Sequence, residues 1–275
     1  MLEEAWYWLT LETSTLAQRL GYRKEAAALR ARHRRCRRAW KSHLQRTREC
    51  LLQSARLTCA QDHGGSALIL GGGLLRDVPW RELLALFDAI EVIDVVIHPE
   101  LRAAAKDSGG RLRAVAMDIT GSIESVAKAP DRTPDLTPTR TAELFRRCVH
   151  QRWVASVNIL SQLPSLPCEW LRAHGVPDDA LATFAGSLME AHVDALAEAP
   201  GGICLVTETG EQREDGDGGS ELSGEIAEII PTRLSSRDWE VLDRWQWSLH
   251  PPDEHPEGVA DSREVVGLHC SAVTR

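Results

Sequence analysis

Three consecutive glycines, Gly71, Gly72 and Gly73, follow the short apolar run Ala67–Leu70. A run of this kind is typical of a buried strand, and glycines directly after it let the backbone turn sharply and approach a ligand closely. Asp94 follows Gly73 after about 20 positions, the offset at which a carboxylate reaches the hydroxyl groups of a ribose. The spacing of these residues therefore predicts a site for a nucleoside.

The residues after the glycines indicate a cofactor without phosphate groups. A dinucleotide-binding turn carries a further glycine for close helix packing, and it places the helix amino terminus against the pyrophosphate. Arg76 stands at that glycine position here, and the predicted helix begins late, near Pro79. The Gly-Lys-Ser or Gly-Lys-Thr sequence of a P-loop does not follow the glycines either. A nicotinamide-dependent oxidoreductase is therefore disfavoured, although it stays open as an alternative.

The elements that must position these residues are short apolar runs that alternate with helical stretches. This alternation is typical of a parallel, doubly wound α/β sheet with helices on both faces. It predicts five strands, at Ala67–Leu70, Glu91–Val96, Leu112–Met117, Val154–Ile159 and Ile203–Thr207. Helices are expected between them, at Pro79–Phe87, Pro99–Lys106, Thr141–His150 and Pro177–Ala199.

The last part of the chain departs from this alternation. Gly210–Gly219 is acidic, rich in glycine and free of apolar residues, which predicts a loop. Arg237–Asp243 has the composition of a helix. Trp245–Leu249 and Glu264–Leu268 have the pattern of strands, so that seven strands are expected in all.

Residues 1–62 are predicted to form a helical cap on an α/β domain of residues 63–275. Residues 12–60 contain no proline and a single glycine, Gly21, which separates a short helix from a longer one. Residues 1–60 carry 13 Lys and Arg against 5 Asp and Glu, although the whole chain has a net charge of −8. The arginines concentrate in Arg30–Arg38, a run that suits either pairing with the acidic body or binding of RNA or another anion.

In this order, the motifs resemble those of class I S-adenosylmethionine-dependent methyltransferases, which have a Rossmann-like fold. Residues 68–73, Leu-Ile-Leu-Gly-Gly-Gly, are similar to the first motif of that family and especially to its form in polyamine synthases. Residues 116–120 (AMDIT) and 156–163 (SVNILSQL) are similar to the motifs at the third and fourth strands. Ile69 departs from the family, because many members have an acidic residue in the first strand. The seventh strand of the family is antiparallel and lies between the fifth and the sixth, which implies the same for the terminal strands here.

The resemblance implies a role for each of these residues. The turn Gly71–Gly73 would hold the methionine end of S-adenosylmethionine, and Asp94 would hold its ribose. Asp118 would lie beside the adenine with Ile119 against the ring, and Asn158 would lie nearest the transferred methyl group. In-line methyl transfer depends on alignment rather than on a protein nucleophile, so no catalytic residue is singled out. No metal site is expected.

The expected function is S-adenosylmethionine-dependent methyl transfer to a small-molecule or peptide acceptor in the cytoplasm. No apolar run approaches the roughly 18 residues of a membrane span, so no membrane partner is expected. Seven scattered cysteines without a C-x-x-C pair indicate free thiols. RNA is a less favoured partner because few aromatic residues accompany Arg30–Arg38, and a homodimer is compatible with the sequence. Two alternatives stay open: aminopropyl transfer from the decarboxylated cofactor, and a non-catalytic interaction protein that binds a partner or RNA through its basic helix.

Overall fold

The computed structural model describes residues 2–134, 138–214, 237–250 and 260–273. Within these ranges one sheet contains seven strands: β1 Ser66–Leu70, β2 Ala89–Asp94, β3 Leu112–Ala116, β4 Trp153–Val157, β5 Gly202–Glu214, β6 Trp239–His250 and β7 Ala260–Cys270. The strand order is β3-β2-β1-β4-β5-β7-β6. Strands β1 to β5 pair in parallel, whereas β7 is antiparallel to both β5 and β6. The predicted seven-stranded, mostly parallel sheet is thus confirmed.

Ten α-helices surround the sheet in the described part of the chain. Four precede it: α1 Leu2–Thr10, α2 Thr15–Arg19, α3 Tyr22–Arg35 and α4 Lys41–Thr58. Six follow β1: α5 Trp80–Leu83, α6 Pro99–Asp107, α7 Ile123–Lys128, α8 Pro138–Cys148, α9 Ser165–Ala173 and α10 Asp178–Ala197. The predicted break at Gly21 is confirmed, because this residue has a φ of +97° directly before α3, a conformation that favours glycine.

Both faces of the central strand β1 are buried under helices. Ile69 belongs to the core on one face, together with Leu51 and Ala55 of α4, none of which is exposed to solvent. Leu70 belongs to the core on the other face, together with Val193 of α10. This arrangement explains why β1 is apolar at successive positions instead of alternating. It also makes α4 one of the layers that cover the sheet.

The prediction of a helix at Arg237–Asp243 is wrong. Residues from Trp239 onward form β6, which pairs with β7 from Trp239 opposite Cys270 to His250 opposite Asp261. Some residues of β6 have no strong preference for a strand. They adopt the extended conformation because β7 satisfies the hydrogen bonds of their backbone groups, and this tertiary contact outweighs their intrinsic preference.

The predicted loop Gly210–Gly219 is also wrong in its first half. The backbone from Gly210 to Glu214 continues β5 and pairs with β7, after a register shift between Glu208 and Gly210. Polar residues are compatible with this extension because, among the described strands, Gly210–Glu214 pair only with β7, in an antiparallel arrangement that does not require burial on both faces. Residues 215–219 lie outside the described residues.

All seven cysteines are buried as free thiols, as predicted, and burial raises the pKa of Cys148 to about 12. None of the helices that the structure describes has both the length and the apolar character needed to cross a membrane.

Candidate functional site

The first two glycines of the turn after β1 are required by close packing. Gly71 has a φ of +84°, and a Cβ atom there would lie 2.2 Å from Cγ2 of Ile159, just beyond β4. A Cβ atom at Gly72 would lie 2.2 Å from Cγ1 of Val92 in β2. Carbon atoms that are not bonded to each other cannot come this close, so neither position has room for a side chain, and the turn packs directly against both neighbouring strands.

The third glycine borders open space. Gly73 has a φ of +45°, and no atom of the described residues lies within 4 Å of the position that its Cβ would take. Its backbone N–H donates a hydrogen bond to Oδ2 of Asp94, with a distance of 2.8 Å. The sequence-predicted pair is therefore brought together, at the carboxyl edge of the sheet and next to an open face of the turn.

Hydrogen bonds from the backbone hold the carboxylate of Asp94 in place. Gly73 donates to Oδ2, and the N–H of Val96 lies 3.3 Å from Oδ1. Burial raises the pKa of Asp94, while the bond from Gly73 and the nearby His98 lower it. Each carboxylate oxygen can accept more than one hydrogen bond, so the group can still receive hydroxyl groups of a ligand.

Asp118 lies in the loop after β3, where it organises the backbone. Its Oδ1 accepts hydrogen bonds from the N–H and the hydroxyl of Thr120, at 2.9 and 2.6 Å. Its Oδ2 accepts the N–H of Ile123 at the start of α7, at 2.9 Å. The neighbouring Ile119 is 7% exposed and packs in the apolar core beside Ile93. The structure thus shows a loop-capping role for Asp118, and its role beside an adenine stays a prediction.

Tyr22, the first residue of α3, lies near the two predicted carboxylates, and the sequence did not single it out. Burial raises the pKa of Tyr22, and the carboxylates of Asp118 and Asp94 raise it further. The phenol group therefore lies within electrostatic reach of both predicted carboxylates. The segment before α3 runs along the end of β2, because the hydroxyl of Thr13 donates to the backbone oxygen of Val95 at 2.8 Å.

Asn158 follows β4 directly and has a φ of +52°, an uncommon conformation for a residue with a side chain. Its Nδ2 donates to Oδ2 of Asp77 at 3.0 Å and lies 3.3 Å from Nε2 of His43. Its backbone oxygen accepts from Nε2 of Gln162 at 2.6 Å. Asn158 thus joins a polar cluster, the Asp77–Asn158–His43 cluster, beside the glycine turn.

Tertiary packing holds His43 in this cluster. The indole N–H of Trp245 donates to its Nδ1 at 3.1 Å, and its ring stacks on Trp247 with the ring centroids 4.0 Å apart. Burial lowers the pKa of His43 to about 3, so the imidazole is neutral at physiological pH. The sequence did not reveal His43, because β6 brings its tryptophans to α4 from almost the other end of the chain. It did not reveal Asp77 either, because the contact of Asp77 with Asn158 depends on the backbone conformation of Asn158.

The basic run of α3 lies beside a surface cavity of about 390 Å³ that Tyr7, Ala27, Arg30, Ala31, Arg34 and Arg35 line. The guanidinium group of Arg30 stacks on the ring of Tyr7 at 4.1 Å and lies 3.7 Å from Glu100. At least this arginine therefore pairs with the body of the protein. Binding of RNA by the run stays a prediction.

No protein family profile matches the chain, and no curated protein matches it in sequence. Solved structures with a similar course of the chain include the 1,6-didemethyltoxoflavin-N1-methyltransferase of Burkholderia thailandensis, with 15% identity and a TM-score of 0.43 over 90% of this chain and 87% of that chain. An S-adenosylmethionine-dependent methyltransferase from Clostridium acetobutylicum has 8% identity and a TM-score of 0.42, over 82% and 91%. The [4+2]-cyclase SpnF has 12% identity and a TM-score of 0.42, over 82% and 80%.

These likenesses are remote, and the strand order is the more telling observation. The resemblance in sequence implied an antiparallel seventh strand between the fifth and the sixth, and the order β3-β2-β1-β4-β5-β7-β6 has β7 in that place and orientation. The chain therefore has the α/β fold of the class I S-adenosylmethionine-dependent methyltransferases.

Proposed function

We propose that this protein transfers a methyl group from S-adenosylmethionine to a small-molecule or peptide acceptor by in-line displacement. The observation that carries the proposal is the hydrogen bond from Gly73 to Asp94 at the open side of the turn. This bond supports the proposal because the carboxylate, which would receive ribose hydroxyl groups, lies next to Gly73, where no other described residue approaches the Cβ position within 4 Å.

The residues present fit this cofactor. Asp94 would accept the two ribose hydroxyls, and the turn at Gly73 would leave room for the methionine end. Tyr22 and Asp118 would lie toward the adenine, because Tyr22 is within electrostatic reach of both Asp94 and Asp118. The late start of α5, at Trp80, leaves no helix amino terminus directly after the glycines, which suits a cofactor without phosphates.

S-adenosylmethionine, when bound, supplies a methyl group on a positively charged sulfur. The residues of the chain would orient the two reactants and exclude water from between them. The segment that carries Thr13 and Tyr22 would exclude water, since it runs along the carboxyl end of β2. Asn158 would lie on the acceptor side, because it follows β4, the strand that pairs with β1 opposite β2.

Calorimetric titration of the full chain with S-adenosylmethionine and with S-adenosylhomocysteine tests the proposal. We expect both to bind with one site per chain, and reduced nicotinamide cofactor not to bind. Decarboxylated S-adenosylmethionine, in a parallel titration and product assay, separates methyl transfer from aminopropyl transfer. Absence of binding of either sulfur nucleoside at millimolar concentration would overturn the proposal.

A further inference from the structure

The Asp77–Asn158–His43 cluster contains an unexplained polar atom. Asn158 is 9% exposed, and no described residue donates a hydrogen bond to its buried Oδ1. Buried amide oxygens nearly always accept at least one hydrogen bond, because leaving one without a partner costs free energy. The amide nitrogen, by contrast, faces two side chains, Asp77 and His43.

The protonation of His43 decides which end of the amide suits that position. An indole nitrogen only donates, so the bond from Trp245 requires a lone pair on Nδ1 of His43. A neutral imidazole then carries its hydrogen on Nε2. That Nε2–H points at the Asn158 amide from 3.3 Å, where a carbonyl oxygen could accept it and an amide nitrogen could not.

Rotating the Asn158 amide by half a turn resolves this conflict. Oδ1 then accepts from Nε2 of His43, and it lies at hydrogen-bond distance from Oδ2 of Asp77. Two oxygens at this distance require a hydrogen between them, which only a protonated Asp77 can provide. We infer that Asp77 keeps its proton at neutral pH, and that His43 and Asp77 together turn the Asn158 amide so that its N–H₂ end takes the buried position at which no described residue donates a hydrogen bond.

The charges around Asp77 agree with this assignment. Burial raises the pKa of Asp77, whereas the hydrogen bond from Asn158, a hydrogen bond from the backbone of Asp77 itself and the charge of Arg48 lower it. The reversed amide removes the bond from Asn158. Arg48 of α4 is itself paired with Glu82 of α5 at 3.0 Å, which weakens its effect, and His43 of α4, which faces Asn158, is neutral.

What this orientation of Asn158 means for the choice of acceptor rests on the proposed function. At the acceptor side of a methyl-transfer site, an N–H₂ group of Asn158 in this buried position would select, among acceptors that reach it, one that offers a lone pair, such as a carbonyl, carboxylate or phenolate oxygen. It disfavours an acceptor that presents an ammonium group. His43 and Asp77 are positioning residues, because they act through Asn158.

Carbon-13 NMR titration of aspartate side chains in the full protein tests the inference, with Asp77→Asn to assign the signal. We expect Asp77 to keep its proton at pH values well above about 3.9, the pKa of a free aspartate. His43→Phe keeps a ring to stack on Trp247 but removes the Nε2–H, so it should increase the acid dissociation constant of Asp77 at least tenfold. His192→Phe, at a buried histidine on α10, is the matched control and should leave the constant unchanged.

An ionised Asp77 at neutral pH in the unaltered protein overturns the inference, and so does an unchanged titration in His43→Phe. Nitrogen-15 NMR of the unaltered protein gives an answer even if His43→Phe does not fold. We expect hydrogen on Nε2 of His43, and hydrogen on Nδ1 would contradict the inference. Calorimetry with S-adenosylmethionine on the same samples separates the two proposals, because failure to bind it refutes the proposed function without affecting either NMR result.

Discussion

The sharpest test of the nucleoside site is the substitution Asp94→Asn, which keeps the size of the side chain and removes its charge. The carboxylate uses Oδ2 for Gly73 and Oδ1 for Val96, and an amide can accept only one of these bonds. A ribose hydroxyl would also lose a charged partner, and hydrogen bonds to charged groups contribute about 1.5–3 kcal/mol. We therefore expect the dissociation constant of S-adenosylmethionine to rise about 10- to 150-fold, measured by calorimetry.

Asp88→Asn is the matched control for this experiment. Asp88 accepts the backbone N–H of Gly65 at 2.8 Å, so it resembles Asp94 in its bonding, but it lies just before β2, at the opposite edge of the sheet. Its substitution should leave the affinity for S-adenosylmethionine unchanged. If Asp94→Asn binds the cofactor as tightly as the unaltered protein, the assignment of Asp94 to the ribose is refuted.

Three further substitutions have definite expected outcomes. Gly72→Ala should lower the free energy of unfolding in urea by about 1–3 kcal/mol, because its Cβ would overlap Val92, whereas Gly186→Ala, with open space around it in α10, should not lower it. Burial lowers the pKa of His192 to about 4, below the unfolded value of about 6.5, so stability should be complete above pH 6.5 and fall by up to about 3 kcal/mol as the pH drops to 4. A His192→Gln variant should lack this loss in pH-dependent urea titrations. Tyr22→Ala should weaken S-adenosylmethionine binding severalfold in calorimetry, while unchanged affinity would remove Tyr22 from the site.

The sheet could be predicted from the sequence because its central strands are buried on both faces. Such strands must be apolar at successive positions, as Ala67–Leu70 and Val154–Val157 largely are, and helices must separate them. The edge strand β6 could not be recognised in full, since its residues before Trp245 pair only with β7 and have no apolar run. The short helices α7 and α9 were likewise not predicted.

Some residues of the candidate site could likewise be predicted from the sequence, and others could not. The pair Gly73 and Asp94 could be predicted because two adjacent parallel strands end at one edge, and a fixed sequence offset follows from that geometry. Tyr22 and His43 could not, because they reach the site from helices that precede the sheet, and no spacing rule links them to it. The conformation of Asn158, which turns its side chain toward Asp77, also depends on tertiary contacts.

The packing of α4 against the strands at the far end of the sequence has a consequence for biosynthesis. Cys50 of α4 lies so close to Gly267 of β7 that a Cβ there would be 2.5 Å from the sulfur, and Trp40 donates its indole N–H to the backbone oxygen of Leu249 in β6. A ribosome releases α4 long before either strand exists. The apolar side of this helix therefore cannot be fully covered until translation has passed residue 267, and slow elongation over the final third of the message would lengthen the period in which the nascent chain can aggregate.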